Sequence, residues 1–454
     1  MVSLLETYKK RLAISEGVYA RDHSNQTLNE QQKLTIARVL ANTSAYLNEA
    51  FSHSVGTQRA DMGEYKKFCL DLTTVALPNL IANDLVIVKP MTAMTGYIQY
   101  LKFVAGTDKG GVEKGDVFND PFRLGAMNDA RMNYTSAKVA EAVESFTSGT
   151  TKVAWFPVVA GTIRALDANG VEVSDNETTA WTAAADGTIT AGAYKSGKSA
   201  TDVKKLAYEY DNIVIPQNDL PILNAKMEGI ALEAKARRIA IYYSQMAAFQ
   251  AKTETGTDLG EVLATQACAE LNYQIDTEVV KLLDNAAETP AGDVTKFNKH
   301  ERVGVALAEH YEGFAVTLEN ASQVIYDKTQ RYAANYLVIA SNIKPIISVM
   351  RGWKAAGNAK INGPYFAGTL NGLKVYVSPA IAPNRFFVGY NGNDLVTSAA
   401  VFAPYMAVVP TQLLGFADGG MSQGFSTLYD LKLLNKDLLV AGSIVDEERE
   451  VTID

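Results

Sequence analysis

From Thr257 to Ala287 the sequence TDLGEVLATQACAELNYQIDTEVVKLLDNAA contains no proline, the next being Pro290. Leu259, Leu263, Ala267, Leu271, Ile275, Val279 and Leu282 recur at steps of four and three, which places them on one apolar stripe of a helix. Asp258, three residues before Glu261, supplies an N-cap and an early acidic residue that suits the helix dipole. At ~1.5 Å rise per residue such a rod is roughly 40 Å or more long. Most of the other elements are short strands, so this helix is a strut, and the fold must give its stripe something to brace.

The 454 residues suffice for a substantial core and two or three subdomains. A net charge of −8 without a basic tail argues against a dedicated binder of phosphate backbones. Cys69 and Cys268 lie far apart in apolar surroundings and read as reduced core residues. Charged residues interrupt the N-terminal MVSLLETYKKRLAIS, and no run of ~18 apolar residues occurs. Neither a signal peptide nor a membrane span is therefore expected, and the chain reads as one made in a cytoplasm-like compartment.

Along the chain, residues 1–75 read as a helical, loosely attached arm, with Ile36, Leu40, Leu47 and Phe51 on one narrow stripe and 52–64 as a polar linker. Leu77–Gly106 reads as an apolar strand, a break at Pro90 and a second, alternating strand. The glycine-rich, charged residues after it lack periodicity and read as an extended loop. Residues 151–212 hold short β-branched and aromatic runs separated by Asp-Ala-Asn-Gly and Asp-Gly turns, the pattern of a small β-sandwich-like unit inserted in that loop. Ile230–Ser244 fits helix and strand periodicity equally. Beyond the long helix come a mixed helical region, several short strands, a final strand GFSTLYDLKLLN and an acidic tail.

Sites of chemistry are scarce. Gly192-x-x-x-x-Gly197-Lys198-Ser199 matches a phosphate-loop pattern but lacks a buried strand before it and a helix after it, so it reads as a hairpin turn. Gly420-Met421-Ser422-Gln423-Gly424 matches a nucleophile elbow, yet no histidine lies beyond His310. His23, His53, His300 and His310 have no metal-ligand partners at useful spacing. The Lys235, Arg237, Arg238 cluster reads as salt bridges or an interface rim. No catalytic, cofactor-binding or metal-binding residue is assigned, and no enzyme is expected.

Four segments in order resemble the major capsid proteins of tailed bacteriophages of the T-even (myovirus) type. They are Leu77-Pro78-Asn79-Leu80-Ile81-Ala82-Asn83-Asp84 with Val88-Lys89-Pro90-Met91 and Thr95-Gly96; Glu233-Ala234-Lys235-Ala236-Arg237 into Tyr243-Ser244; the steps Leu263-Ala264-Thr265, Glu270-Leu271-Asn272 and Glu278-Val279-Val280 of the long helix; and Phe402-Ala403-Pro404-Tyr405-Met406-Ala407-Val408-Val409-Pro410 with Gly424-Phe425-Ser426-Thr427. The resemblance implies an α+β, Hong Kong 97-type capsid fold with an inserted small all-β subdomain. Its expected parts are an N-terminal arm (1–75), a peripheral-domain strand and start of the extended loop (76–105), the extended loop with its insertion (106–229), a returning strand and spine helix (230–295), an axial domain (296–415) and a C-terminal peripheral-domain strand and tail (416–454). The resemblance also makes Glu233–Ser244 a strand.

The function implied is that of a major head protein self-assembling into hexamers and pentamers of an icosahedral shell around double-stranded DNA. Itself, portal, vertex, scaffold and decoration proteins are the implied partners, in a virion assembled in the host cytoplasm, with no cofactor and no membrane. The family often loses an N-terminal propeptide after a Leu/Ile-x-Glu site. Leu47-Asn48-Glu49 makes Glu49 the candidate cleavage residue, although Glu6 and Glu30 close matching triplets, and a chain that begins at Met1 is expected to be uncleaved. The alternatives are a surface, adhesion or decoration protein using the β insertion, and a nucleotide-binding enzyme built on Gly192–Ser199.

Overall fold

The computed structural model describes residues 2–22, 27–52, 59–78, 80–107, 112–119, 134–135, 138–146, 152–153, 155–211, 221–256, 259–300, 306–357, 363–392, 394–411, 413–417 and 419–446. Two compact units emerge, one formed by residues 1–98 and 229–454 and the other by 99–228.

The first unit begins with four helices, α1 (Val2–Thr7), α2 (Lys9–Asp22), α3 (Glu30–Ser52) and α4 (Arg59–Ala76). They are not a loose arm. Leu12, Tyr19, Ile36, Val39 and Leu40 are buried in the main core, and Ser15 donates to the Thr74 carbonyl at 2.8 Å. Each helix alone shows only a narrow stripe, and burial comes from stacking them on one another and on a sheet, which local periodicity does not reveal. The expected linker is partly helix as well, since α4 starts at Arg59; residues 53–58 lie outside the described residues.

The first strand expected after Leu77 is instead a short helix, α5 (Ala82–Leu85), followed by the two-residue strand β1 (Ile87–Val88). The second strand is present as β2 (Thr95–Ala105). In the second unit follow β3 (Val117–Asn119), β4 (Lys138–Ser145), β5 (Arg164–Leu166), β6 (Ser174–Asp175), β7 (Thr182–Ala183), β8 (Ile189–Thr190), β9 (Ala193–Tyr194) and β10 (Lys205–Asp211). These form the small sheets β4-β10-β5, β6-β9 and β7-β8 around a core of Trp181, Tyr208, Tyr210, Val173 and Leu206. The inserted unit is all-β, but it starts before residue 151, because Lys138–Ser145 pairs along β10 from Asp211 to Lys205. Most of the loop between Thr107 and Ala137 lies outside the described residues.

The chain returns along β11 (Leu223–Glu233), which sits beside β2 in the order β11-β2-β3. Glu228 pins the two strands, accepting from Tyr100 at 3.0 Å and facing Lys102 at 2.6 Å. These bonds, the lysine's foremost, pull its carboxyl down to about 2. The ambiguous stretch resolves as β12 (Lys235–Ser244), followed by α6 (Gln245–Thr255) and the long helix α7 (Leu259–Ala286).

Then come β13 (Lys296–Asn298), α8 (Leu307–Thr329), β14 (Tyr336–Ala340), α9 (Lys344–Val349), β15 (Trp353–Ala355), β16 (Tyr365–Leu370), β17 (Leu373–Ser378) and β18 (Arg385–Gly389). Asn371 and Gly372, at φ 47° and 91°, make the two-residue turn between β16 and β17, a left-handed conformation that suits asparagine and glycine. Last are β19 (Ala400–Pro410), β20 (Leu414–Gly415), β21 (Gly420–Leu433) and β22 (Leu439–Val445).

Two sheets organise this unit. One runs β1-β19-β21-β12 with β20 on β21, and the other β13-β22-β18-β14-β17-β16-β15. Sheet membership cuts across the ranges 296–415 and 416–454. β19 belongs with β21, whereas β22, in what reads as an acidic tail, inserts between β13 and β18. Only long-range pairing decides this, and a seven-residue apolar run carries no mark of its partners. Residues 447–454 of the tail lie outside the described residues.

Candidate functional site

The candidate site is the long helix and what clamps it. Along α7, Ala264, Ala267, Cys268 and Leu271 pack with Val408 of β19 and Phe425 of β21, with Leu72 of α4 and Ile239 and Ile241 of β12 alongside. Farther on, Ile275, Val279, Val280 and Leu283 enter the main core with Ala82 and Leu85 of α5. The buried stripe drifts by one residue at each end, with Ala264 and Leu283 buried and Leu263 and Leu282 half-buried. A straight helix turns at 3.6 residues, so a face meeting a sheet at one end and α5 at the other must broaden. Asp258, the expected cap, lies outside the described residues.

Polar clamps fix the helix laterally. Arg237 of β12 donates to Glu278 of α7 and to the hydroxyl of Tyr429 on β21, and Tyr429 in turn donates to Glu278 at 2.5 Å. Burial first, then Glu278, pushes the Tyr429 hydroxyl well above its usual range, so it stays a donor. This is the fate of the basic cluster read from Lys235, Arg237 and Arg238: Arg237 is an internal tie between strand and helix. At the other end Arg385 of β18 meets Asp284 at 2.7 Å and donates to the Asp284 carbonyl at 3.1 Å. A guanidinium there satisfies free carbonyls and opposes the dipole of the helix C-terminus.

Asp276 is the residue that sequence reading missed. It lies on the buried face of α7, 7% exposed, and accepts from the Ala82 amide at the start of α5 at 3.4 Å. Burial pushes its carboxyl up to about 8, the backbone amides of Ala82 and Ile81 oppose this, and the charge of Asp84 adds to it. The signal was available: Asp276 stands four before Val280 and seven before Leu283, at a stripe position where a carboxylate is expensive unless it has donors to meet. Nearby, Asp84 accepts from Tyr19 of α2 at 2.7 Å, and Asn391 donates to the Asp84 carbonyl at 2.8 Å. These bonds edge a polar cavity of about 510 Å³ also lined by Gln32, Asn83, Asn335 and Lys374.

The chemical motifs take ordinary structural roles. In Gly192–Ser199, Lys198 faces Asp167 at 3.5 Å, and Ser199 N–H donates to Asp202 at 2.8 Å rather than opening a phosphate cradle. Gly420–Gly424 lies within β21, with Ser422 between Tyr242 and Leu414 in register. His300 meets Asp446 at 2.8 Å and His310 the Asn298 carbonyl at 2.8 Å, while His23 and His53 lie outside the described residues. Cys69 and Cys268 are both buried. Glu49 is exposed in the last turns of α3, where Leu47 beside it is buried.

A helix clamped lengthwise onto a sheet is a mechanical scaffold, and among the described residues no cluster of three or more metal-ligating side chains occurs. The sequence profile of the family described as major capsid protein Gp23 matches residues 62–448. The chain belongs to this family. It is accordingly a structural, shell-forming head protein of a tailed phage, from a family of capsid proteins rather than enzymes. Among relatives, the major capsid protein of Escherichia phage AR1 is 22% identical over 384 residues, covering 78% of this chain and 73% of that one. That of Enterobacteria phage T4 is 23% identical over 397 residues, with the same coverage of each chain. A solved structure from Microbacterium phage Oxtober96 aligns over 81% of this chain and 91% of that one, with a TM-score of 0.38 and 10% identity. The α+β class expected from the resemblance is the class observed.

Proposed function

We propose that this chain builds hexamers and pentamers of an icosahedral shell that encloses double-stranded DNA, in a Hong Kong 97-type arrangement. The single observation that carries this reading is the long helix tied by Arg237, Glu278 and Tyr429 to a sheet. In this reading α7 is the spine of a peripheral domain, the seven-stranded sheet is the axial domain, and residues 99–228 form the extended loop with its β insertion. Rings closed by heterologous contacts need such a rigid body plus parts that reach a neighbour. The net charge of −8 suits a container that holds DNA without gripping its phosphates. No cofactor and no catalytic step enters this role.

Assembly takes place in the host cytoplasm, and portal, vertex, scaffold and decoration proteins complete the virion. Cleavage after Glu49 belongs to this proposal and requires the end of α3 to unwind. Mass spectrometry of particles, if it found residues 1–49 retained in mature shells, would remove it. The main test is electron microscopy of the purified, overexpressed chain. Rings, tubes or shells are expected; a monodisperse monomer at high concentration, with and without scaffold, would overturn the reading.

A further inference from the structure

Four residues are too few to hold a helix by themselves, because a first turn fixes many dihedrals for little hydrogen bonding. The short helix α5 (Ala82–Leu85) also has no side-chain cap at Ile81. Its place is set instead by polar bonds from neighbouring elements of the same unit. Tyr19 of α2 donates to the Asp84 carboxyl at 2.7 Å, and Gln32 of α3 donates to the Asn83 carbonyl at 3.1 Å. Asn391, just beyond β18, donates to the Asp84 carbonyl at 2.8 Å. Asn391 is itself steadied by Asn335, just before β14, which donates to its carbonyl at 2.7 Å. At the start of α5 the Ala82 amide donates to Asp276 of α7 at 3.4 Å. Ala82 and Leu85 share the main core with Tyr19, Ile36 and Leu40 and with Ile275 and Val279.

The two ends of α5 therefore answer to different parts of the chain. The N-terminal helices bond it at Asn83 and Asp84, and the long helix bonds it at Ala82. At ~1.5 Å rise per residue these points lie only about 3 Å apart along the axis. No interior turn lies between them to absorb a shift, so a displacement imposed at Asp84 reaches Ala82. The bond waiting there is already stretched, at 3.4 Å against the roughly 2.7–3.2 Å of an ordinary N–H to oxygen bond. Asp276 is 7% exposed, and a buried carboxyl that loses a donor is strongly disfavoured. A small movement of α5 thus has a steep effect on α7.

We propose that α5 is a mechanical relay, through which the seating of the N-terminal helices α2 and α3 is felt at Asp276 in the long helix. Anything that lifts α2 and α3 then loosens α7 around Asp276 without touching it. The relay is a property of the folded chain and does not rest on the shell-forming reading, so its failure would leave that reading standing.

The test is amide hydrogen exchange on the unassembled full-length chain, with circular dichroism and melting temperature reporting folding. Tyr19→Phe removes the donor to Asp84, and Gln32→Ala removes the donor to Asn83. Arg11→Gln is the control, since Arg11 pairs with Asp71 of α4. Exchange in α5 and in α7 from Gln274 to Val280 should rise about tenfold or more in the first two variants. In Arg11→Gln it should stay at the wild-type level. Coupling is reciprocal, so Asp276→Leu should in turn speed exchange in α2 around Tyr19. Gln32 is half-buried, so Gln32→Ala decides alone if Tyr19→Phe does not fold. Faster exchange in α5 with α7 unchanged would overturn the relay. An equal rise in β14, or in α7 of the Arg11 control, would also overturn it, because the loosening would then be general.

Discussion

Asp276 makes the joint between the long helix and α5 dependent on pH. Its carboxyl is buried, meets the amides of Ala82 and Ile81, and is pushed up to about 8 against a usual 3.8. A carboxyl whose pKa rises on folding favours the protonated, folded form. Its contribution is therefore complete below about pH 4 and lost as pH climbs through about 8. At ~1.4 kcal/mol per pH unit, that window is worth on the order of 5 kcal/mol. Asp276→Asn keeps an oxygen for the two amides and removes the titration. Denaturant unfolding of the unassembled chain from pH 5 to pH 9 should show wild-type stability falling with pH relative to the variant. At pH 9 the asparagine variant should be the more stable by several kcal/mol, and the gap should narrow steadily as pH falls toward 5. Asp276→Leu should behave differently, losing about 1–3 kcal/mol at each pH for each amide left unsatisfied. Wild-type and asparagine profiles that run parallel across the whole range would refute the argument.

Two further outcomes follow from the packing. Leu271, 1% exposed between α7 and the sheet, should cost about 2–5 kcal/mol as Leu271→Ala, read from the unfolding midpoint, whereas Leu271→Asp should abolish folding or assembly. Normal shells from Leu271→Asp would end the assignment of α7 as the spine. Replacing residues 138–211 by a short Gly/Ser linker should leave a folded chain, because Lys138 and Asp211 pair across β4 and β10 and so lie side by side. Deleting 151–212 alone should do worse, as it strands β4 without its partner; equal melting temperatures for the two deletions would contradict this.

What the sequence discloses depends on how local the physics is. The long helix is legible because its stripe, its lack of proline and its length all lie within one stretch, and Lys235–Ser244 is illegible by itself because Ile239 and Tyr243 fit a helix with Leu232 and Ala236 and a strand with Ile241. That stretch becomes a strand through its ladder with β21, ten residues long and remote in sequence. The N-terminal helices are legible as helices but not as packed ones, since Leu40 and Tyr19 find their neighbours only in three dimensions. β22 hides in an acidic tail for the same reason.

Asp276 is a carboxylate where the helix pattern calls for an apolar side chain. It breaks the rule that burial follows polarity, and the break is resolved within the chain, because the amides at the start of α5 meet the carboxyl. A polar group on an apolar stripe thus marks a joint between two elements that the stripe by itself does not disclose.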